Sequence, residues 1–413
     1  MYTKLMNVGI LSGIVLLFAA CKNEGDDLGD ENDSGVITTV SEIDYDFDVP
    51  ATYVFTRDSE TTVSFGGQSD RLYMGKEILG FFDVNTTKTA ENVKSAFNHS
   101  ENGNDFDDAN LNESSKKIQN KVASSNDLND AVFAAESQNL FISYIDKFFA
   151  EIVPSKDVVA SKGVAGYVGE KPRYVNSKGM EYNQLFNKGL IGALVVDQVL
   201  NNYLGDVRVG NEEYIADNTN ETLLEGENYT TYEHHFDEAY GYVYGAADNP
   251  IAPVAKGDDK FLFTYITQVN GMSAFSGIQD QIFSAFKIGR AAVVAQDYDV
   301  LEDAIEVLQY QISKVVAVRA VYYLEAGKNN LAAQEYESAF HGLSEAYGFI
   351  YSLQFTRNPN TGEAYLSISE VEALLSKLDA GDGFWDLTDG TVLDEISNTI
   401  ADKFDFTVAE AAE

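Results

Sequence analysis

The sequence predicts a mainly α protein built as two related helical bundles behind a short N-terminal β-hairpin. Three observations carry that expectation. Two stretches repeat in register, His234-His235-Phe236-Asp237-Glu238-Ala239-Tyr240-Gly241-Tyr242-Val243-Tyr244 and His341-Gly342-Leu343-Ser344-Glu345-Ala346-Tyr347-Gly348-Phe349-Ile350-Tyr351, and a repeated segment marks a duplicated unit. Apolar residues recur at helical spacing, as in Leu301, Ile305, Leu308, Ile312 and Val315. Clustered β-branched and aromatic residues are confined to one short stretch, 51–65.

Residues 1–20 read as a lipoprotein signal peptide. Lys4 supplies a thin positive start, and the apolar run Val8 to Ala20 is too short to span a bilayer comfortably. Ala19 and Ala20 then precede Cys21, the single cysteine of the chain. This resembles a bacterial lipobox with Phe18 where leucine is usual, and it predicts lipidation of Cys21. Residues 21–48 begin with a polar, acidic run and are expected to be a flexible tether. Acidic residues directly after the cysteine resemble export signals of surface lipoproteins in some Gram-negative bacteria. The expected location is therefore the outer membrane, lipid-anchored, surface-exposed or periplasmic-facing.

Residues 49–68 predict the hairpin, with strands in 51–56 and 61–65 and Gly66-Gly67 closing it. Residues 69–248 form the first expected half. It holds a helix over 70–82, an Asn/Asp/Ser-rich stretch with helical pieces over 86–134, and a helix over 134–152 ending near Pro154. A long loop over 155–180, an apolar helix over 184–204, an acidic loop over 211–228 and a helix over 232–246 follow. Asp248-Asn249-Pro250-Ile251-Ala252-Pro253 breaks the chain. Residues 254–406 form the second half, with helices near 275–296, 299–326, 331–353, 368–378 and 391–404. Gly327-Lys328-Asn329-Asn330 is expected as a helix–helix turn, and 407–413 as a disordered tail.

Charge excludes one class of partner. With 66 acidic against 28 basic side chains the net charge is −38 over 413 residues, which repels phosphate backbones, so no nucleic acid is expected. The same charge permits cation binding without requiring it. Nothing in the composition calls for an oligomer, and a monomer is expected.

The repeat carries the only candidate chemistry. Three of the four histidines lie in it, and residues three and four apart share a helix face. Glu238 therefore lies beside His234 and His235, and Glu345 beside His341. Imidazole and carboxylate from one helix are ligands for iron, zinc or another divalent metal. The same pattern equally describes a helix–helix seam in which His and Glu satisfy each other and Gly241 and Gly348 allow close approach. Asp237 faces Ser344 in the second copy, and His235 faces Gly342, so any metal site is asymmetric. Aromatic faces could also hold a haem or a siderophore complex, although core packing accounts for most of them.

The lipobox, the duplicated helical body and His235-x-x-Glu238 resemble imelysin-like proteins, bacterial envelope proteins of two related helical bundles tied to iron uptake. Their signature is Gly-x-His-x-x-Glu, and here Glu233 stands at the glycine. Four segments are similar to an uncharacterised bacterial lipoprotein family, domain of unknown function 4856, encoded near imelysin-like proteins and outer-membrane iron receptors. They are Ser64-Phe65-Gly66-Gly67-Gln68-Ser69-Asp70-Arg71-Leu72, Lys188-Gly189-Leu190-Ile191-Gly192-Ala193-Leu194, His235-Phe236-Asp237-Glu238-Ala239-Tyr240-Gly241-Tyr242 and Gly289-Arg290-Ala291-Ala292.

The resemblance implies an envelope protein that binds a metal ion or iron complex and assists iron uptake beside an outer-membrane receptor or an imelysin-like lipoprotein. Two other readings stand beside it, a structural or protein-interaction lipoprotein without metal and a degenerate metallopeptidase. His-Glu-x-x-His is absent, as are Gly-x-Ser-x-Gly and a free thiol after lipidation. No enzyme activity is expected.

Overall fold

Asp58 and Ser59 both take positive φ, 52° and 70°, and this primed turn pairs Thr56–Arg57 (β1) antiparallel with Glu60–Thr61 (β2). The hairpin is much shorter than its β-rich sequence. Tyr53 and Phe55 are instead drawn into the helical core, and Tyr53 donates its backbone N–H to Ile251. Gly66-Gly67 does not close the hairpin. It opens α1 (Gly66–Phe81), because the preceding Ser64 and Phe65 are already held against a later helix.

The computed structural model describes residues 35–125 and 131–413. The signal peptide, Cys21 and the tether through residue 34 lie outside the described residues. The rest of the expected tether is docked. Ile37 donates its N–H to Glu306 and Val40 to Gln281, and Ile43 is buried.

Most expected helices form close to their predicted bounds. After α2 (Ala90–Phe97) and α3 (Ala109–Glu113) comes α4 (Ala131–Lys147), which tightens through Val153–Ser155 as Pro154 ends it. The loop over 155–180 hides a second small hairpin, β3 (Gly166–Val168) on β4 (Arg173–Val175). Gly166 explains why it escapes a propensity reading: a Cβ there would meet the Val158 carbonyl oxygen at 2.1 Å.

Next, α5 (Tyr182–Leu190) continues as a buried π-helix over Ile191–Tyr203. The wider winding releases backbone groups that must find partners elsewhere. Gly192 donates its N–H to the Ser352 hydroxyl, and the Ala193 carbonyl accepts from Ala123.

The acidic segment expected as a loop over 211–228 is partly helical. Asn211 caps α7 (Glu212–Thr219), just after the single turn α6 (Asp206–Val209). The first repeat lies on α8 (Thr231–Tyr244), opened by a reciprocal capping box between Thr230 and Glu233. Beyond the proline break, α9 (Leu262–Asn270) was not expected; α10 (Ile278–Ala295) was.

The turn expected at Gly327–Asn330 is helix. One rod, α11 (Tyr298–Ala332), runs through it and stops only at Gln334, with φ 61°. Gly327 serves packing there: its missing side chain admits Leu343 of α12 (Tyr336–Ser352), whose Cδ2 lies 2.5 Å from where a Cβ would stand. Finally α13 (Ile368–Leu378), α14 (Thr391–Ala401) and α15 (Val408–Ala411) close the chain. The tail expected to be disordered is thus a capped turn with Ala411 buried.

The protein is mainly helical with two small antiparallel sheets. Val36–Glu413 makes one compact unit: α12 packs on α5 and α10 on α8, across the proline break. Among the described residues no helix is long and apolar enough to cross a membrane.

Gly348 shows how tight the central contact is. A Cβ there would meet Lys188 Cβ at 2.4 Å and the Gly189 nitrogen at 3.0 Å, atoms that cannot swing aside. Gly348→Ala should therefore lower unfolding free energy by about 1–3 kcal/mol. At Gly80, in α1 with open space around it, the same change should raise it by about 0.4–1 kcal/mol. Urea unfolding of both variants measures the contrast.

Candidate functional site

Helix α8 presents two polar faces, and they do different things. Along one, Glu233 and Asp237 share the guanidinium of Arg290 on α10. Arg290 Nη1 donates to Glu233 at 3.1 Å and Nε to Asp237 at 3.0 Å, while Nη2 donates to the Thr62 hydroxyl at 3.0 Å. Asp237 also accepts from the Tyr53 hydroxyl (2.8 Å) and the Ser64 N–H (3.3 Å). Arg57 of β1 reaches Glu233 at 3.0 Å. Arg290 is fully buried, and its guanidinium lies 4.9 Å from the Phe55 ring centre.

Burial works against the charge on Arg290, but Asp237 and Glu233 more than reverse that and hold its pKa above the ordinary value. Burial likewise pushes the Glu233 carboxyl up, and Arg290, the Thr230 N–H and Arg57 bring it below the usual range. At Asp237 burial outweighs Arg290, Tyr53 and the Ser64 N–H and leaves the carboxyl above its usual range. With two guanidinium groups facing two carboxylates, this face locks hairpin to helices.

The other face holds the predicted site residues. His235 Nδ1 lies 3.1 Å from Glu238 Oε2, while His234 Nε2 stands at 3.9 Å. Glu238 Oε1 accepts from Gln68 of α1 at 2.8 Å and from the Tyr203 hydroxyl at 3.1 Å. Burial pushes the Glu238 carboxyl up, but the His235 hydrogen bond, the His234 and His235 charges and Gln68 pull it down to about 2.

The second copy is wired differently. Glu345 is paired with Lys188 of α5 at 3.1 Å, and the His341–Glu345 hydrogen bond expected from spacing does not form. His341 Nδ1 lies instead 3.2 Å from both carboxylate oxygens of Glu181, the residue before α5. The reason is tertiary: a buried lysine arrives opposite Glu345 and takes its carboxylate. Ser344, at the position of Asp237, accepts the Glu181 N–H.

The five expected ligands therefore split into His234–His235–Glu238 and two separately engaged residues. Among the described residues no group of three or more His, Cys, Asp or Glu is arranged to hold a metal ion. The fourth histidine, His99, is buried between Asp105 and the Ser114 carbonyl.

His235 Nε2 is buried without a hydrogen-bond partner, and its ring lines a narrow cleft with Tyr203, Arg208 and Tyr232. Beside that cleft, sharing Tyr232 and Val209, opens a cavity of about 420 Å³. Its wall includes Asp206, Tyr298, Glu302, Glu306, Gln309 and Arg357, none of them expected from the sequence. A legible signal existed: acids at 299, 302, 303 and 306 fall on one side of a helix.

Three of the four family-like segments meet in space here. Gln68 binds Glu238, Gly289 packs on Phe236, and Arg290 binds Asp237. The family of domains of unknown function DUF4856 matches residues 50–407. The chain belongs to that family. In this DUF4856 domain both copies of the repeat, the Arg290 network and the cavity all fall within the matched residues. Comparison with curated proteins and with solved structures found no match.

Two outcomes are expected for the DUF4856 domain. Arg290→Met leaves Glu233 and Asp237 buried without their main countercharge and should cost about 3–5 kcal/mol. Arg57→Met, at a part-exposed pair, should cost about 1 kcal/mol or less; chemical denaturation compares them. Folding lowers the Glu238 pKa, so its stabilisation is complete above the ordinary 4.5 and is lost as pH falls toward about 2. Between those values Glu238→Gln should flatten the fall of stability, read by thermal melts at stepped pH.

Proposed function

We propose that the protein is a non-catalytic lipoprotein of the Gram-negative outer membrane that assists iron uptake as an interaction partner of a receptor or an imelysin-like protein. In this reading its His–Glu pairs brace helices and hold no bare metal ion. The observation that carries it is the engagement of every expected carboxylate ligand. Glu238 is bound by His235, Gln68 and Tyr203, and Glu345 by Lys188. A divalent ion would have to strip these contacts from a buried environment, which is costly.

Support for the anchor comes from the lipobox ending at Cys21, and support for the iron setting from the family resemblance. Kinship with imelysin-like proteins through an internal duplication belongs to the same proposal. It is supported by Gly241 and Gly348, equivalent in the repeat, each seated against another helix or its approach: Gly241 on Phe65 and Gln68, Gly348 on Lys188.

A second reading, capture of an iron complex, is favoured by one feature. A carboxylate at Nδ1 orients an imidazole so that Nε2 can face a metal, and His235 Nε2 is buried without a protein partner. One such donor suits a metal already carried by another chelator, a haem or siderophore, better than a bare ion.

Full-length protein purified without tag or chelator decides between the readings. Iron and zinc should be sub-stoichiometric, ferric haemin and cobalt(II) should give no saturable absorption change, and Glu238→Ala should alter stability alone. A stoichiometric metal content, or a haemin or cobalt band abolished by His235→Ala, would overturn the metal-free reading in favour of the second.

A further inference from the structure

We propose that the 420 Å³ cavity at the start of α11 is a binding site for a small aliphatic amine cation of the diamine or polyamine class. The inference goes beyond the iron reading and uses neither histidine of α8. Its volume lies in the lower half of the range of about 300–1,000 Å³ usual for small-molecule pockets. The wall is amphipathic. Tyr232 and Tyr298, edge-to-face at 5.8 Å, line it together with Ile305. Their hydroxyls are already committed, Tyr232 donating to the Val209 carbonyl and Tyr298 bonded to Asn218 and Thr219. What they offer an occupant is ring surface, suited to a methylene chain or to a cation over a π-face.

The charge on the wall is negative. Asp206 is paired with Arg357 at 3.0 Å. Glu302 and Glu306 have no ion pair to a basic side chain among the described residues. They stand one helical turn apart, about 5–6 Å between Cβ atoms, a spacing that matches two ammonium groups on one short chain. One point ion is a poorer match, since no three carboxylates there converge as a metal site.

Gln309 supplies the independent observation. One turn below Glu306, it lines the cavity, is only 8 % exposed, and its side-chain amide has no hydrogen-bond partner among the described residues. Its amide opens on the cavity rather than on another protein group, and its carbonyl there is an acceptor for an ammonium group. Burial pushes the Glu306 carboxyl up, and Asp303 and Glu302 add to this against the Ile37 N–H. A bound cation would relieve that repulsion.

Full-length protein in detergent, titrated calorimetrically with spermidine at fixed ionic strength, tests the site. Saturable binding of one spermidine per chain is expected. Glu302→Gln and Glu306→Gln should each weaken it about tenfold, and Gln309→Leu about fivefold. Glu306→Gln keeps the acceptor for Ile37, and thermal melts matching the parent show that each variant is folded. His235→Ala should bind spermidine unchanged, which separates this site from the metal reading. Non-saturating uptake, equal displacement by Mg²⁺, or unchanged affinity in folded Glu302 and Glu306 variants would overturn the proposal, leaving only diffuse attraction to an acidic chain.

Discussion

The buried guanidinium of Arg290 is the constraint on which the arrangement around α8 depends. A fully buried cation is tolerable only when its charge and its donors are matched. Glu233, Asp237 and Thr62 supply that match from a helix and from the segment after the hairpin. The network therefore does what a two-residue β-ladder cannot. It ties the chain before α1 to α8 and α10, and with it the stacked rings of Tyr53 and Tyr240, 3.5 Å apart.

Once that face of α8 is fixed, the other follows. Glu238 is brought against Gln68 and Tyr203, and His235 is turned so that Nδ1 meets the carboxylate. The second copy has serine in place of Asp237, and its hydroxyl is taken up by the Glu181 N–H and the Phe340 carbonyl. Lys188 takes the carboxylate of Glu345, and His341 turns to Glu181. Two segments of nearly the same sequence thus build two different electrostatic environments, each decided by the residue that arrives from another helix.

Close helix approach is the second theme. Gly192, Gly289, Gly327 and Gly348 each stand where a Cβ would meet another side chain at 2.6 Å or less. In the case of Gly192 the approach goes with a change of winding. Ser352 reaches the backbone of the α5 rod, accepts the Gly192 N–H and donates to the Lys188 carbonyl. A side chain inserted into the helical ladder accommodates the π-register. The outcome is an almost wholly buried central rod on which helices from both sides of the proline break pack.

By itself the sequence determined the helical class, most helix positions and the pairing of His235 with Glu238, because these depend on spacing within one helix. Capping residues such as Thr230 with Glu233 and Ser367 with Glu370 set helix starts locally. Only the tertiary structure decided the rest. Gly327 reads as a turn until Leu343 is seen filling its space, and His341 reads as the partner of Glu345 until Lys188 arrives. The cavity walls come from segments nearly 160 residues apart, Leu204 to Gly362, and no periodicity encodes their meeting. Local spacing specifies what one helix can offer; which offers are taken depends on long-range packing and on the matching of buried charge.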